Sequence, residues 1–133
     1  MKGKIFSDGG ARGNPGPGAS SAIVYDENGV STFDGMYFPV TTNNNAEYNG
    51  LLIGIKLAKK IGIDELECFL DSELIVKQML NEYKVKDENL KSLKAKIDLL
   101  LKDFKSVSFK HVPREQNKLA DRLVNIILDT KLN

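Results

Sequence analysis

Four of the eighteen acidic residues in this 133-residue chain sit where the polypeptide is about to change direction. Asp8 closes a short segment, Lys4–Ser7, that reads as a strand. Glu47 falls in the first turn of a helical pattern, Asp71 directly follows a second strand-like run, and Asp121 lies early in the last helical pattern. In a layered sheet, strand ends and helix starts tend to meet along one edge, so these four carboxylates can converge. Convergence is unfavourable for the acids alone, because neighbouring negative charges drive at least one towards its protonated form. Divalent cations reverse that logic. Mg²⁺ accepts carboxylate oxygens while retaining water, and two ions about 3.5–4 Å apart can clamp a phosphodiester. The chemistry to look for is metal-assisted phosphoryl transfer.

Each acid also has an ordinary explanation. Glu47, three residues after Asn44, can complete a capping-box-like helix start. Asp71 can cap the next helix, Asp121 can sit as a solvated charge near a helix N-terminus, and Asp8 can stabilise its turn. Position and spacing leave both readings open.

The elements that must position these residues are legible from periodicity. After Lys4–Ser7 comes a turn-rich segment, Asp8–Gly18. Ala19–Tyr25 reads as a strand, Asp26-Glu27-Asn28-Gly29 as a hairpin turn, and Val30–Phe38 as the returning strand, stopping at Pro39. Tyr48, Leu51, Leu52 and Ile55 then recur at i, i+3, i+4 and i+7, a helix preceded by Asn43-Asn44-Asn45 and ended by Gly62. Glu65–Leu70 is expected as a strand, Ser72–Leu80 and Glu88–Phe104 as helices, Val107–Val112 as a strand, and the segment around Leu119, Leu123, Ile126 and Ile127 as a last helix. The order βββαβααβα implies an α/β fold: a mixed five-stranded sheet with helices packed on its faces.

Length and composition fit one domain spanning residues 1–133. The single cysteine, Cys68, excludes an internal disulfide and any CxxC motif, and its apolar neighbours place it in the core. No apolar run reaches membrane-spanning length and no secretory pattern opens the chain, so a cytoplasmic protein without membrane contact is expected. Net charge is only +1, but Lys84–Lys105 holds seven lysines against four acids. Such a run is either a solvated face or a phosphate-contacting one.

The words around the four acids carry more. Asp8-Gly-Gly-Ala-Arg-Gly-Asn-Pro-Gly-Pro-Gly18, Thr41-Thr-Asn-Asn-Asn-Ala-Glu47, Leu70-Asp-Ser72 and His111-Val-Pro-Arg-Glu-Gln-Asn-Lys-Leu-Ala-Asp121 resemble the four signature segments of type 1 ribonucleases H, in that family's order and across nearly the whole chain. The resemblance implies a ribonuclease H-like fold and an endonuclease that hydrolyses the RNA strand of RNA–DNA hybrids. Catalysis would use two Mg²⁺ ions, with Mn²⁺ a possible substitute, and leave 5′-phosphate and 3′-hydroxyl ends. Asp8 would bridge both ions, Asp121 would serve the ion that activates water, and Glu47 and Asp71 the ion beside the departing oxygen. His111, ten residues before Asp121, matches the family's mobile catalytic-loop histidine; Arg114 is a rival for that place, and a packed strand-end histidine is the plain alternative.

No Gly-Lys-Ser/Thr follows the glycine-rich segment, which argues against a nucleotide-binding P-loop. Its glycines instead let backbone approach a substrate closely. Telling RNA from DNA requires sensing a 2′-hydroxyl, a donor and acceptor. By resemblance, backbone groups of Gly9, Gly10, Ala11 and Arg12 and the amides of Asn14, Asn43 and Asn44 line the RNA groove, and Thr42 holds a DNA phosphate.

The chain departs from many bacterial members in lacking a basic protrusion. Its connection is only Asn81–Asp87, and there is no tryptophan. Grip on substrate would then rest on Lys84, Lys86 and the lysine-rich helix. Glu73 stands where many members carry a glutamine. This compact form resembles a subgroup in which double-stranded RNA is sometimes also cut. A monomer is expected; a non-catalytic nucleic-acid-binding module of the same fold is the alternative from another class.

Overall fold

Alternating apolar residues build a five-stranded sheet in the order β3-β2-β1-β4-β5. In the computed structural model, which describes residues 1–133, the strands are β1 (Lys2–Ala11), β2 (Gly16–Asp26), β3 (Ser31–Thr41), β4 (Glu65–Leu70) and β5 (Ser106–His111). The helices are α1 (Asn43–Lys60), α2 (Glu73–Met79), α3 (Glu88–Leu101) and α4 (Lys118–Leu132), with a 3₁₀ turn at Arg114–Gln116. The order is the βββαβααβα read from periodicity. β1 pairs antiparallel with β2 and β2 with β3, while β4 runs parallel to both β1 and β5.

Strand parity divides the core. Ile5 of β1 and Ala22 and Val24 of β2 meet the α1 stripe of Tyr48, Leu51, Leu52, Ile55 and Ala58, joined by Ile75 and Met79 of α2 and Ile97 of α3. A fully buried side chain of this size contributes about 1.5–3 kcal/mol. Cys68 belongs to this cluster, and burial pushes its thiol well above the usual range. On the opposite sheet face, Ala19 packs against Val124 and Leu128 of α4.

Several boundaries differ from those read in the sequence, each for a physical reason. β1 does not stop before Asp8: its ladder with β2 continues to Ala11 opposite Gly18, so Asp8 lies inside a strand. Gly9 is needed here for close packing and Gly13, at φ +86°, for turning. A Cβ on Gly9 would lie 2.2 Å from the Ala46 backbone of α1. β3 runs through Pro39 to Thr41 because it pairs with β2 alone, and an edge strand tolerates the missing N–H. It starts one residue late because the Asp26 carboxylate accepts from the N–H groups of Asn28 (2.9 Å) and Val30 (3.0 Å), holding the turn in which Gly29 takes φ +80°.

The asparagine run is not ahead of α1 but within its first turn. Thr42 is the N-cap, its hydroxyl accepting from Asn45 N–H at 3.2 Å. Glu47 therefore lies beyond the first turn and caps nothing. Ser72, not Asp71, caps α2 by accepting from Ile75 N–H at 3.3 Å. α3 ends at Leu101, and Phe104 fills the core from the following turn.

Candidate metal and nucleic-acid site

The site occupies a wedge that the sheet leaves open. The β1–β4 ladder ends at Phe6 opposite Phe69, whereas β1 continues beside β2 as far as Ala11. Asn117, immediately before α4, donates its side-chain amide to the Ser7 carbonyl at 2.8 Å, just beyond the point where β4 pairing stops. Glu47 enters the wedge from α1, Asp71 from the end of β4 and Asp121 from the first turn of α4. Backbone contact sets the approach of α1: a Cβ on Gly50 would lie 2.4 Å from the Asp8 carbonyl oxygen.

Asp8, Glu47 and Asp71 each offer a carboxylate oxygen within 4.8 Å of the others. Asp121 stands beside this triad, its carboxylate 3.4 Å from the Arg114 guanidinium. All four acids line one cavity of about 410 Å³ together with Gly9, Arg12, Asn43, Arg114 and Asn125.

Crowding is expressed in their protonation. Burial, then the charge of Asp71, pushes the Asp8 carboxyl up to about 8, against the opposing Gly9 N–H. Burial, reinforced by Asp71, pushes Glu47 up to about 7, against the neighbouring Ser72 hydroxyl. Asp71 is also raised, by burial and by Asp121, with the Asn117 amide and Arg114 pulling the other way. Glu47 Oε2 is buried without any hydrogen-bond partner. Oxygen-only donors, three of them close enough to share an ion and one orphaned in the interior, fit a hard divalent cation such as Mg²⁺ or Mn²⁺.

The comparisons with known proteins agree with this geometry. The family model described as reverse transcriptase-like matches residues 6–126. The bifunctional protein Rv2228c of Mycobacterium tuberculosis is 40% identical over 131 residues, 97% of this chain and 36% of that protein. Ribonuclease HI of Halobacterium salinarum is 36% identical over 125 residues, 93% of this chain and 63% of that protein. The solved structure of LC11-RNase H1 in complex with an RNA/DNA hybrid has a TM-score of 0.91 at 40% identity, covering 98% of this chain and 99% of that one. The chain belongs to the type 1 ribonuclease H family. As a ribonuclease H fold, it spans about a third of the length of the mycobacterial relative and under two thirds of the halobacterial one.

In this ribonuclease H frame the other residues singled out in the sequence fall into three places. Gly9, Gly10, Ala11, Arg12 and Asn43 line the acid cavity. Asn14, Thr42, Asn43 and Asn44 line an adjoining depression of about 640 Å³ that also reaches Asp87 at the start of α3. Asn43 lines both and joins them. Lys84 and Lys86 line a third depression with Tyr83, Lys91 and Lys94. There Lys91 and Lys94 are paired to Glu88 (3.3 Å) and Asp98 (2.8 Å).

His111 is exposed at the end of β5 and does not line the acid cavity. Arg114, its rival, does line that cavity. Asn117 and Asn125 were not singled out by sequence reasoning for any role. Their signals are positional: they lie four residues to either side of Asp121, the helical repeat that puts side chains on one face.

Proposed function

We propose that this chain is an endonuclease that hydrolyses the RNA strand of RNA–DNA hybrids, with two divalent cations, Mg²⁺ or Mn²⁺ in its place, held by Asp8, Glu47, Asp71 and Asp121. The observation that carries the reading is the carboxylate triad within 4.8 Å, with a buried Glu47 oxygen that nothing in the protein satisfies. It is supported by the likeness to LC11-RNase H1, solved with an RNA/DNA hybrid. Bound there, such cations supply an activated water and stabilise the departing 3′ oxygen, which leaves 5′-phosphate and 3′-hydroxyl ends.

The chain's own groups do the positioning. Asp8, inside β1 and 9% exposed, would hold a cation jointly with Glu47 and Asp71. Asn117 orients Asp71 while its amide is anchored on Ser7. Arg114 sits 3.4 Å from one Asp121 oxygen, Oδ1, and offsets its charge, which leaves the other oxygen for a cation. His111, outside the cavity on an exposed strand end, is placed to move a proton only when the segment between β5 and α4 rearranges. The amides of Asn43 and Asn14 have their oxygens engaged by backbone N–H groups, which leaves both NH₂ groups as donors for a 2′-hydroxyl or sugar oxygen. Asn44, in the same depression as Asn14, would join them along the RNA strand, and Thr42 would hold a DNA phosphate.

The test is cleavage of end-labelled RNA–DNA hybrid, double-stranded RNA, double-stranded DNA and single-stranded RNA in Mg²⁺, Mn²⁺ or EDTA. Metal-dependent cutting of the hybrid's RNA strand, with 3′-hydroxyl products, is expected. Folded protein that binds hybrid but cuts nothing in either metal would replace the enzyme by a binding module.

A further inference from the structure

The Arg12 side chain is the second cation on the wall of the acid cavity, and nothing in the metal chemistry uses it. It reaches from just past the end of β1 across to α4, where its Nη2 meets the Asp129 carboxylate at 2.6 Å and the Asn125 side-chain oxygen at 3.4 Å. Asn125 is itself tied down, its amide donating to the Asp121 carbonyl at 3.1 Å. A single nitrogen makes both contacts. The guanidinium has five N–H donors in a rigid planar fork, so Nη1 and Nε keep theirs.

As a structural tie the pair accounts for little. Its side chains are 42% and 62% exposed, the setting in which an ion pair is worth least. Holding a long side chain in one orientation over a cavity, with its remaining donors unengaged, is what an anion-binding arginine requires. Position along α4 defines which anion. Asn125 and Asp129 lie four and eight residues beyond Asp121, about 6 and 12 Å along the helix at 1.5 Å per residue. A strand laid along α4 and rising about 3.4 Å per nucleotide would put Arg12 some two to three nucleotides from the metal-binding acids.

We infer that the Arg12 side chain, oriented by Asp129 and Asn125, binds a phosphate of the RNA strand two to three nucleotides from the scissile bond. It is a substrate-positioning residue distinct from the backbone groups of the same segment. The inference rests on the proposed hybrid substrate. The scissile phosphate would have cations of its own once metal is bound, whereas a neighbouring phosphate on the α4 side of the cavity meets Arg12. Asp129 offsets the arginine's charge and fixes its plane, so the donors are aimed before the strand arrives.

The experiment compares wild type with R12A, R12K and D129A, reading hybrid affinity by fluorescence anisotropy in CaCl₂ over a salt series and cleavage separately in MgCl₂. R12A is expected to weaken binding about tenfold and to flatten log Kd against log salt by about 0.7–0.9, one phosphate contact. In cleavage, KM should rise with kcat within twofold. R12K and D129A should keep the wild-type salt slope, since each retains a cation at residue 12. An unchanged slope and Kd in R12A would overturn the inference. So would equal losses in R12A and D129A, the mark of a merely structural pair, or an R12K slope as flat as that of R12A. If the wild type binds hybrid without cutting it, the enzyme reading fails while the anisotropy series still decides the role of Arg12.

Discussion

The backbone N–H of Asn43 donates to the side-chain oxygen of Asn14 at 3.1 Å, while the Asn43 side-chain oxygen accepts from Ala11 N–H at 2.8 Å. Two asparagines distant in sequence thereby lock the β1–β2 connection onto the start of α1. The same bonds orient both amide NH₂ groups. Asn43→Ala should cost about 1 kcal/mol of stability and about tenfold in hybrid affinity, read by thermal unfolding and anisotropy. Asn14→Ala should show the same pairing of effects, and the double variant should lose less than the sum, because the two act as one unit. Unchanged affinity in both would leave these residues with a purely structural role.

Asp8→Asn should abolish metal-dependent cleavage, as loss of the acid shared by the whole cluster requires. The same substitution should stabilise the metal-free protein at pH 8 by about 2 kcal/mol, since a buried charge that repels Asp71 and Glu47 is gone. Measuring activity and urea unfolding on one preparation checks both halves; near-normal cleavage would remove Asp8 from the site.

Asp8 and Glu47 also fix the direction of pH dependence. Their folded pKa values, about 8 and about 7, stand above the usual carboxylate range, so the folded state holds their protons longer than the unfolded chain does. The stability this contributes is complete below about pH 4 and is lost as pH rises through 7 to 8. Metal-free protein should lose of the order of 1 kcal/mol per pH unit between about pH 5 and 8. Saturating MgCl₂ should flatten the profile, because bound cations favour the ionised acids. A metal-free profile that is level or rising over that window would contradict the carboxylate geometry.

Arg114→Ala releases Asp121 from its 3.4 Å partner and should tighten metal binding while changing turnover, both measurable by isothermal titration and steady-state kinetics. His111→Ala should slow turnover by about a hundredfold or less without eliminating it, the range of a proton-transfer aid. An unaltered rate would return His111 to a plain strand-end residue.

Asn117→Ala removes the donor to a buried carbonyl and should cost about 1–3 kcal/mol. It should also raise the Asp71 pKa further, since the amide favours the ionised form. Titration of the carboxyls by NMR separates that orienting effect from simple loss of packing.

The order of elements and the four acids were legible in the sequence because both are local signals: apolar periodicity for the strands and helices, and short residue patterns around each acid. What escaped was set by contacts between distant segments. The length of β1 past Asp8 depends on pairing with Gly18–Ser21, and the passage of β3 through Pro39 depends on that strand having only one neighbour. Asn44 looked like the partner of Glu47 at a helix start, yet the Thr42 hydroxyl takes the cap and shifts the helix earlier. Asn117 and Asn125 carry no local signal beyond their spacing from Asp121. Their partners, Ser7 and Arg12, are more than a hundred residues away.

Gly9 and Gly50 give the acid cluster a mechanical property of its own. Where a Cβ on either would collide with backbone of the facing element, at 2.2 and 2.4 Å, β1 and α1 are held apart by main chain against main chain. Peptide units do not change rotamer, so the gap between the Asp8 and Glu47 attachment points behaves as a gauge block, indifferent to how the apolar core beneath it is repacked. The core can drift in composition and the nucleic-acid groove can be re-lined while the aperture for the ions keeps its size. A methyl group at either glycine would change that aperture directly, without touching a single acid.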